Sequence, residues 1–151
     1  KRSGLRNDEF VIYKFRSMHP NSEADTRQVV AGDMRLTGFG RFMRRYNLDE
    51  LPQFFNVLKG EMSIVGPRPH MIAHTREYRE WLDRYMVRHF AKPGITGLAQ
   101  INGLRGEVTN PRDIEERVKM DVYYIENWSI LLDIKIILTT IYHSLIGRTN
   151  G

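Results

Sequence analysis

The most constraining feature of this sequence is a proline inside an amphipathic tract, Leu48-Asp49-Glu50-Leu51-Pro52-Gln53-Phe54-Phe55-Asn56-Val57-Leu58. Leu51, Phe54, Phe55 and Leu58 recur at helical spacing. Proline has no N–H and clashes with the preceding turn, so a helix tolerates it only in its first turn. The spacing therefore predicts a helix that starts near Leu48 or Asp49, with Gly60 as its stop. Asp49 and Glu50 then sit where free N–H groups and the helix dipole favour negative charge. Acidic residues at such a place are ordinarily caps. The same place keeps a carboxylate ionised, as a nucleophile requires, and draws phosphate.

The segment just before it is cationic. Phe39, Phe42, Met43 and Tyr46 fall at i, i+3, i+4 and i+7, with Arg41, Arg44 and Arg45 on the opposite face. This predicts a short amphipathic helix leading into the acidic pair. Arginine clusters are usually solvated faces. Beside a helix start, however, cations and carboxylates together can make a metal–phosphate site. Mg²⁺ is commonly held by one or two carboxylates, with substrate phosphates completing its shell.

Elsewhere, Phe10-Val11-Ile12-Tyr13-Lys14-Phe15 reads as a short strand. Lys14 and Arg16 alternate onto one face, where they could meet one anion or simply keep an edge strand soluble. Asn21 to Gly32 is polar and reads as a mobile loop. Tyr78, Trp81, Leu82, Tyr85 and Met86 predict a third helix. Asn110-Pro111 is a cap followed by proline at the first helical position, opening a fourth. Ser129 caps a fifth, ending near Gly147. Its apolar residues, from Ile130 to Tyr142, are predicted as core, some of them able to face a bilayer. Asp133 interrupts them.

Two stretches, Val65 to Pro69 and Lys92 to Gly97, read as turns. Arg68 lies between two prolines, so it is either a surface turn or a rigidly presented guanidinium that can bind phosphate bidentately. His70 and His74 have a spacing that can hold zinc, but no third ligand is evident. The fold predicted is α+β, predominantly α-helical with a few short strands, as a single compact domain over residues 1–151.

The net charge of +5 and the pI near 9.6 favour anionic partners. No cysteine is present, which excludes disulfides and thiolate sites. No stretch reaches the roughly 20 apolar residues of a spanning helix. Because the sequence opens on Lys1, any membrane-embedded segment is expected upstream. A nucleic-acid-binding module fits the charge and the seven tyrosines. It fits the acidic pair badly, since carboxylates beside the arginines would repel a phosphate backbone. A non-catalytic scaffold has no use for a nucleophile.

Taken in order, Lys14-Phe15-Arg16-Ser17-Met18, Leu48-Asp49-Glu50-Leu51-Pro52-Gln53 and Asn56-Val57-Leu58-Lys59-Gly60-Glu61-Met62-Ser63 resemble the bacterial sugar transferase family. Val65-Gly66-Pro67-Arg68-Pro69 and Pro93-Gly94-Ile95-Thr96-Gly97-Leu98-Ala99-Gln100 continue the likeness, which runs from about Lys1 to Ile146. These are monotopic phosphoglycosyl transferases of exopolysaccharide and glycoconjugate assembly. The resemblance implies transfer of a hexose-1-phosphate from a UDP-sugar to undecaprenyl phosphate at the cytoplasmic membrane surface, with no nucleic acid involved. It implies that Asp49 is the nucleophile, forming a covalent phosphosugar and releasing UMP, and that Glu50 holds Mg²⁺. Lys14, Arg44 and Arg68 match the family's cations around the phosphates, and Arg16 is added from the strand pattern. Full-length relatives carry a membrane-embedded, re-entrant helix before the matching segment. The pattern most resembles the subgroup that handles glucose or galactose 1-phosphate.

Overall fold

The computed structural model describes residues 1–22, 29–30, 32–82, 84–106, 108 and 110–147. Most of the polar stretch predicted as a loop, Asn21 to Gly32, lies outside them. The helices are α1 (Gly38–Arg45), α2 (Gln53–Leu58), α3 (Ile72–Trp81), α4 (Leu98–Ile101), α5 (Pro111–Glu126) and α6 (Ile130–Leu145). The strands β1 (Arg2–Ser3) and β2 (Glu9–Phe10) pair antiparallel, and β3 (Ser63–Val65) and β4 (Gly94–Thr96) pair parallel. The predominantly helical α+β prediction holds.

Local chemistry sets the helix starts. Thr37 caps α1, its Oγ1 accepting from Gly40 N at 2.8 Å. Asn110 forms a reciprocal capping box with Asp113 ahead of Pro111, and the Ser129 side chain caps α6 at Leu132 N. Gly60 ends α2 with φ +78. Gly40 is required for another reason: a Cβ there would lie 1.9 Å from the Ser17 carbonyl oxygen, so only glycine lets residue 17 pass directly over α1.

The core is two apolar clusters strung along α5. Tyr78, Tyr85, Ile114, Val118 and Val122 form one; Val65, Tyr124 and Ile136 form the other. Fully burying side chains of this size is worth about 1.5–3 kcal/mol each. Val65, the last residue of β3, belongs to the second cluster.

Several predicted elements differ from what forms. The strand predicted over Phe10–Phe15 stops at Phe10, because the Asn56 side chain takes the place of a neighbouring strand. Asn56 is fully buried, accepts from Tyr13 N at 3.0 Å and donates to Val11 O at 2.7 Å. The third helix ends at Trp81: Leu82 is extended (φ −140, ψ 116), and Tyr85–Phe90 is a separate 3-10 turn. Of the two stretches predicted as turns, Val65 to Pro69 starts on the last residue of β3 and bends at Gly66 and Pro67, whereas Lys92 to Gly97 contains β4. Their glycines serve close approach, since a Cβ on Gly94 would sit 2.1 Å from Gly66 N. Most apolar side chains of α6 are not core. Ile136 is buried, but Leu131, Leu138, Tyr142 and Leu145 are exposed. Asp133 accepts from Tyr124 Oη at 2.8 Å and Trp128 Nε1 at 3.1 Å, which explains its tolerance on that helix. No helix among the described residues is long and apolar enough to cross a membrane.

A buried polar network fills the space between the first cluster and Arg68. Arg88 donates from Nε to Asp121 Oδ2 at 3.0 Å and from Nη2 to the Arg68 carbonyl at 2.6 Å. Its Nη1 meets His70 Nδ1, which also lies 2.7 Å from Tyr85 Oη. Arginine cannot accept, so Nδ1 is the acceptor and His70 is neutral. Burial, then the Arg88 charge, hold His70 well below the ordinary histidine pKa and pull His89 down to about 4.

The sign of the pH effect follows. Below about pH 6.5 the unfolded chain takes up protons on these two histidines that the native chain refuses, so stability falls as pH drops. Melting temperatures should begin to decline near pH 6.5 and keep falling toward pH 4. A His70→Asn/His89→Gln variant should show a shallower decline over that range. An unchanged slope would remove the histidines from the account.

Candidate active site

Asp49 and Glu50 lie in a 3-10 turn, Leu48–Glu50, that feeds directly into α2. Asn47 starts the turn in the left-handed region (φ 57), and Glu50 N donates to Asn47 O at 3.1 Å. Pro52, at φ −61, fits the entry to α2 without giving up a donor. The acidic pair thus precedes the helix by one tight turn and is not part of its first turn. Both residues are only 4% exposed. They are not sealed in, because both line a cleft of roughly 420 Å³, within the range of small-ligand sites.

Four cations from four separate parts of the chain converge there. Glu50 Oε1 receives Lys14 Nζ at 2.8 Å, Arg68 Nη2 at 3.0 Å and Arg105 Nη2 at 3.0 Å. Arg44 Nε donates to Ser17 Oγ at 2.9 Å and stands 3.9 Å from Asp49 Oδ2. Each cation has its own support. Phe15 N bonds the Asp49 carbonyl at 3.0 Å, which lays Lys14 beside the acidic turn. Arg44 comes from the last turn of α1. Arg88 grips the Arg68 carbonyl from behind, and Arg105 Nη1 is held by Asn47 Oδ1.

The two carboxylates are held differently. Burial alone would raise the pKa of Glu50, but the charges of Arg68, Lys14 and Arg105 outweigh it and hold the group well below the ordinary range. Glu50 is therefore ionised and locked. The Asp49 carboxylate faces Arg44 at a distance too long for a hydrogen bond, and among the described residues none ties it down. Asp49 is the freer carboxylate. Desolvation lowers the pKa of Lys14, Arg44 and Arg105, and an incoming anion would favour their charged forms again.

Of the predicted site residues, Lys14, Arg44, Asp49, Glu50 and Arg68 meet in this cleft. Arg16 also lines it, but is exposed and makes no ion pair among the described residues. Arg41 and Arg45 are not among the residues that line the cleft. Sequence reading missed Arg105 and Arg117. The latter is 6% exposed, lines the cleft and donates to Gly106 O at 2.9 Å. His70 Nδ1 is engaged by Arg88 and Tyr85, and no third ligand joins His70 and His74 among the described residues.

No group of three or more His, Cys, Asp or Glu that could cage a metal occurs among the described residues. The donor set suits Mg²⁺ in its other mode. Two adjacent carboxylates sit at a cleft with room for substrate phosphates, which would complete the shell.

The sequence model of the bacterial sugar transferases matches residues 1–147, a span that contains every side chain of the cleft. The chain belongs to the bacterial sugar transferase family. Within it, the chain is 49% identical to a UDP-glucose:undecaprenyl-phosphate glucose-1-phosphate transferase of Xanthomonas campestris pv. campestris, over 99% of this chain and 31% of that protein. A transferase of the same name from Klebsiella pneumoniae is 48% identical over 98% of this chain and 32% of its own length. A UDP-N-acetylgalactosamine-undecaprenyl-phosphate N-acetylgalactosaminephosphotransferase of Aeromonas hydrophila is 44% identical over 97% of this chain and 34% of that protein. The chain thus spans about a third of the length of these family members.

Proposed function

We propose that this chain is the catalytic part of an enzyme that transfers a hexose-1-phosphate from a UDP-sugar to undecaprenyl phosphate. The observation that carries the reading is a free, buried carboxylate, Asp49, beside a locked one, Glu50, on the floor of a cleft ringed by Lys14, Arg44, Arg68 and Arg105. An anion with several oxygens can use all four cations, and a carboxylate without a hydrogen bond is available to act as a nucleophile.

In the first step an Asp49 oxygen attacks the sugar-bearing phosphorus. The bond from that phosphorus to the bridging oxygen breaks, and UMP leaves with the oxygen. In the second, an oxygen of the lipid phosphate attacks the same phosphorus, the bond to Asp49 breaks, and the carboxylate is restored. Splitting the displacement keeps two polyanionic substrates from having to meet at once. Arg68, Lys14 and Arg105 exchange contacts with Glu50 for contacts with phosphate oxygens as charge builds on them. Glu50, with Asp49 beside it, would hold Mg²⁺, which when bound supplies further charge neutralisation at the phosphates.

The relatives' names divide between glucose and N-acetylgalactosamine, with glucose the more frequent, so glucose-1-phosphate is the group proposed. The exposed apolar rows of α1, α2 and α6, including Phe39, Phe55 and Leu131, support a working position against the cytoplasmic membrane surface. The step would open exopolysaccharide or glycoconjugate assembly.

The test is the parent protein in detergent with UDP-glucose, undecaprenyl phosphate and Mg²⁺. Stoichiometric UMP and a lipid diphosphosugar are expected; release of UDP, or of nothing, contradicts the reading. Arg68→Ala should lower kcat/KM for the UDP-sugar about ten- to hundredfold, the worth of one charge-assisted bond. It should leave the melting curve nearly in place, because Lys14 and Arg105 still hold Glu50. Normal kinetics would return Arg68 to a turn residue.

A further inference from the structure

A second and larger concavity lies on the other side of the acidic turn. It measures roughly 870 Å³ and runs between α2 and β4 on one wall and α6 on the other. Its walls are mostly apolar, with Leu51 and Phe54 from the first side, Ile95 and Ile101 beyond them, and Ile137 and Ile141 from α6, interspersed with polar groups such as Thr140 and Ser144. Leu51, Phe54 and Ile141 are each about half exposed, so folding has left this surface uncovered. Glu50 and Arg105 line both this groove and the charged cleft. The two spaces therefore share a boundary at a carboxylate and a guanidinium.

That junction restricts what the groove can hold. A nucleotide-sugar has no apolar part to fill it. An apolar protein helix laid along it would press uncharged backbone against Glu50 and Arg105 and desolvate both, at a cost of several kcal/mol. A molecule with an anionic head and a long apolar tail satisfies both spaces. The head accepts from Arg105, and the tail removes Leu51, Phe54 and Ile141 from water.

We propose that this groove binds the first isoprene units of the polyprenyl phosphate acceptor, with Arg105 at the junction holding its phosphate toward Asp49. The inference rests on the transfer reaction proposed above and assigns the acceptor its own route into the site. Donor and acceptor then enter the acidic turn from different sides.

The test uses full-length parent protein carrying Asp49→Asn, so that binding is read without chemistry. The probe is a prenyl phosphate with a diazirine on its second isoprene unit. After irradiation, peptide mapping should place the label within residues 95–101 and 137–145. Unlabelled undecaprenyl phosphate should compete the label away; the matching prenol, lacking phosphate, should not. Ile141→Trp, which fills the groove, should cut labelling at least about tenfold, the worth of two lost methylene contacts. Lys135→Trp, at an exposed polar position of the same helix outside the groove, should label normally and shows that a tryptophan on α6 is tolerated.

Labelling elsewhere, equal competition by the prenol, or no labelling because a protein segment or a second copy fills the groove would each overturn the inference. Failure of the transfer reading looks different: no UMP is formed although the groove still labels. Transfer with the label elsewhere removes the groove and leaves the reaction standing.

Discussion

Asp49→Asn is expected to reduce sugar-phosphate transfer by about a thousandfold or more, with the melting temperature nearly unchanged. The substitution keeps size and shape and removes the carboxylate proposed to form the acyl phosphate. An amide oxygen is a poor nucleophile and cannot hold phosphorus as a mixed anhydride. Stability should barely change, because among the described residues the nearest cation, Arg44, stands 3.9 Å from the Asp49 carboxylate and bonds Ser17, and Lys14, Arg68 and Arg105 keep their contacts with Glu50. Steady-state rates and thermal melts on the same preparation decide the matter. Transfer within about tenfold of the native rate would reject Asp49 as nucleophile.

Arg88→Met is expected to have the largest effect on stability. Arg88 and Asp121 are each 2% exposed at the side chain, and they meet at 2.8 Å. Burial opposes the charge on Arg88, but Asp121 outweighs it and raises the pKa. Burial already raises the pKa of Asp121, so removing the guanidinium strands a buried carboxyl that must either stay charged without its partner or take up a proton, at a cost of about 3–5 kcal/mol. The whole margin of a domain is about 5–15 kcal/mol. A fall of about 6–20 °C in melting temperature follows for a chain of this size.

The loss would not stop at the ion pair, because Arg88 also supports the carbonyl of Arg68 and fixes the tautomer of His70. The double variant Arg88→Met/Asp121→Leu, with no charge left behind, should recover more than half of the lost stability. A drop of less than about 1 kcal/mol in the single variant would mean that water reaches Asp121 when the arginine is gone.

What the sequence made legible is what local chemistry decides. Asn110 before Pro111 and Ser129 before an apolar run are caps that act within one turn, and both helices begin where they say. Pro52 limited the start of α2 in the same way, missing only that a 3-10 turn stands between the acidic pair and the helix. Periodicity on α6 was legible but ambiguous. A row of isoleucines and leucines looks the same whether it faces a core or is left open, and only Ile136 is fully buried.

Long-range partners were illegible. Arg105 meets Glu50 across 55 positions, from a loop with no periodic signal, and nothing beside it in sequence marks it as more than one basic residue among 23. The strand predicted through Phe15 failed because its partner is one side chain, Asn56, and not a strand. Proline and glycine at Lys92 to Gly97 read as a turn, when Gly94 in fact lets β4 lie against the backbone at Gly66. The five residues of the site named from motifs came together in one cleft; the two arginines that complete it had no motif to announce them.

The most direct test incubates the parent protein with Mg²⁺ and UDP-glucose in the absence of any lipid acceptor, followed by intact-mass and peptide analysis. One hexose phosphate on the peptide that carries Asp49 is predicted, formed together with an equivalent of UMP and lost when undecaprenyl phosphate is added. Full transfer activity with no adduct at any time, or an adduct on another residue, would contradict the two-step account.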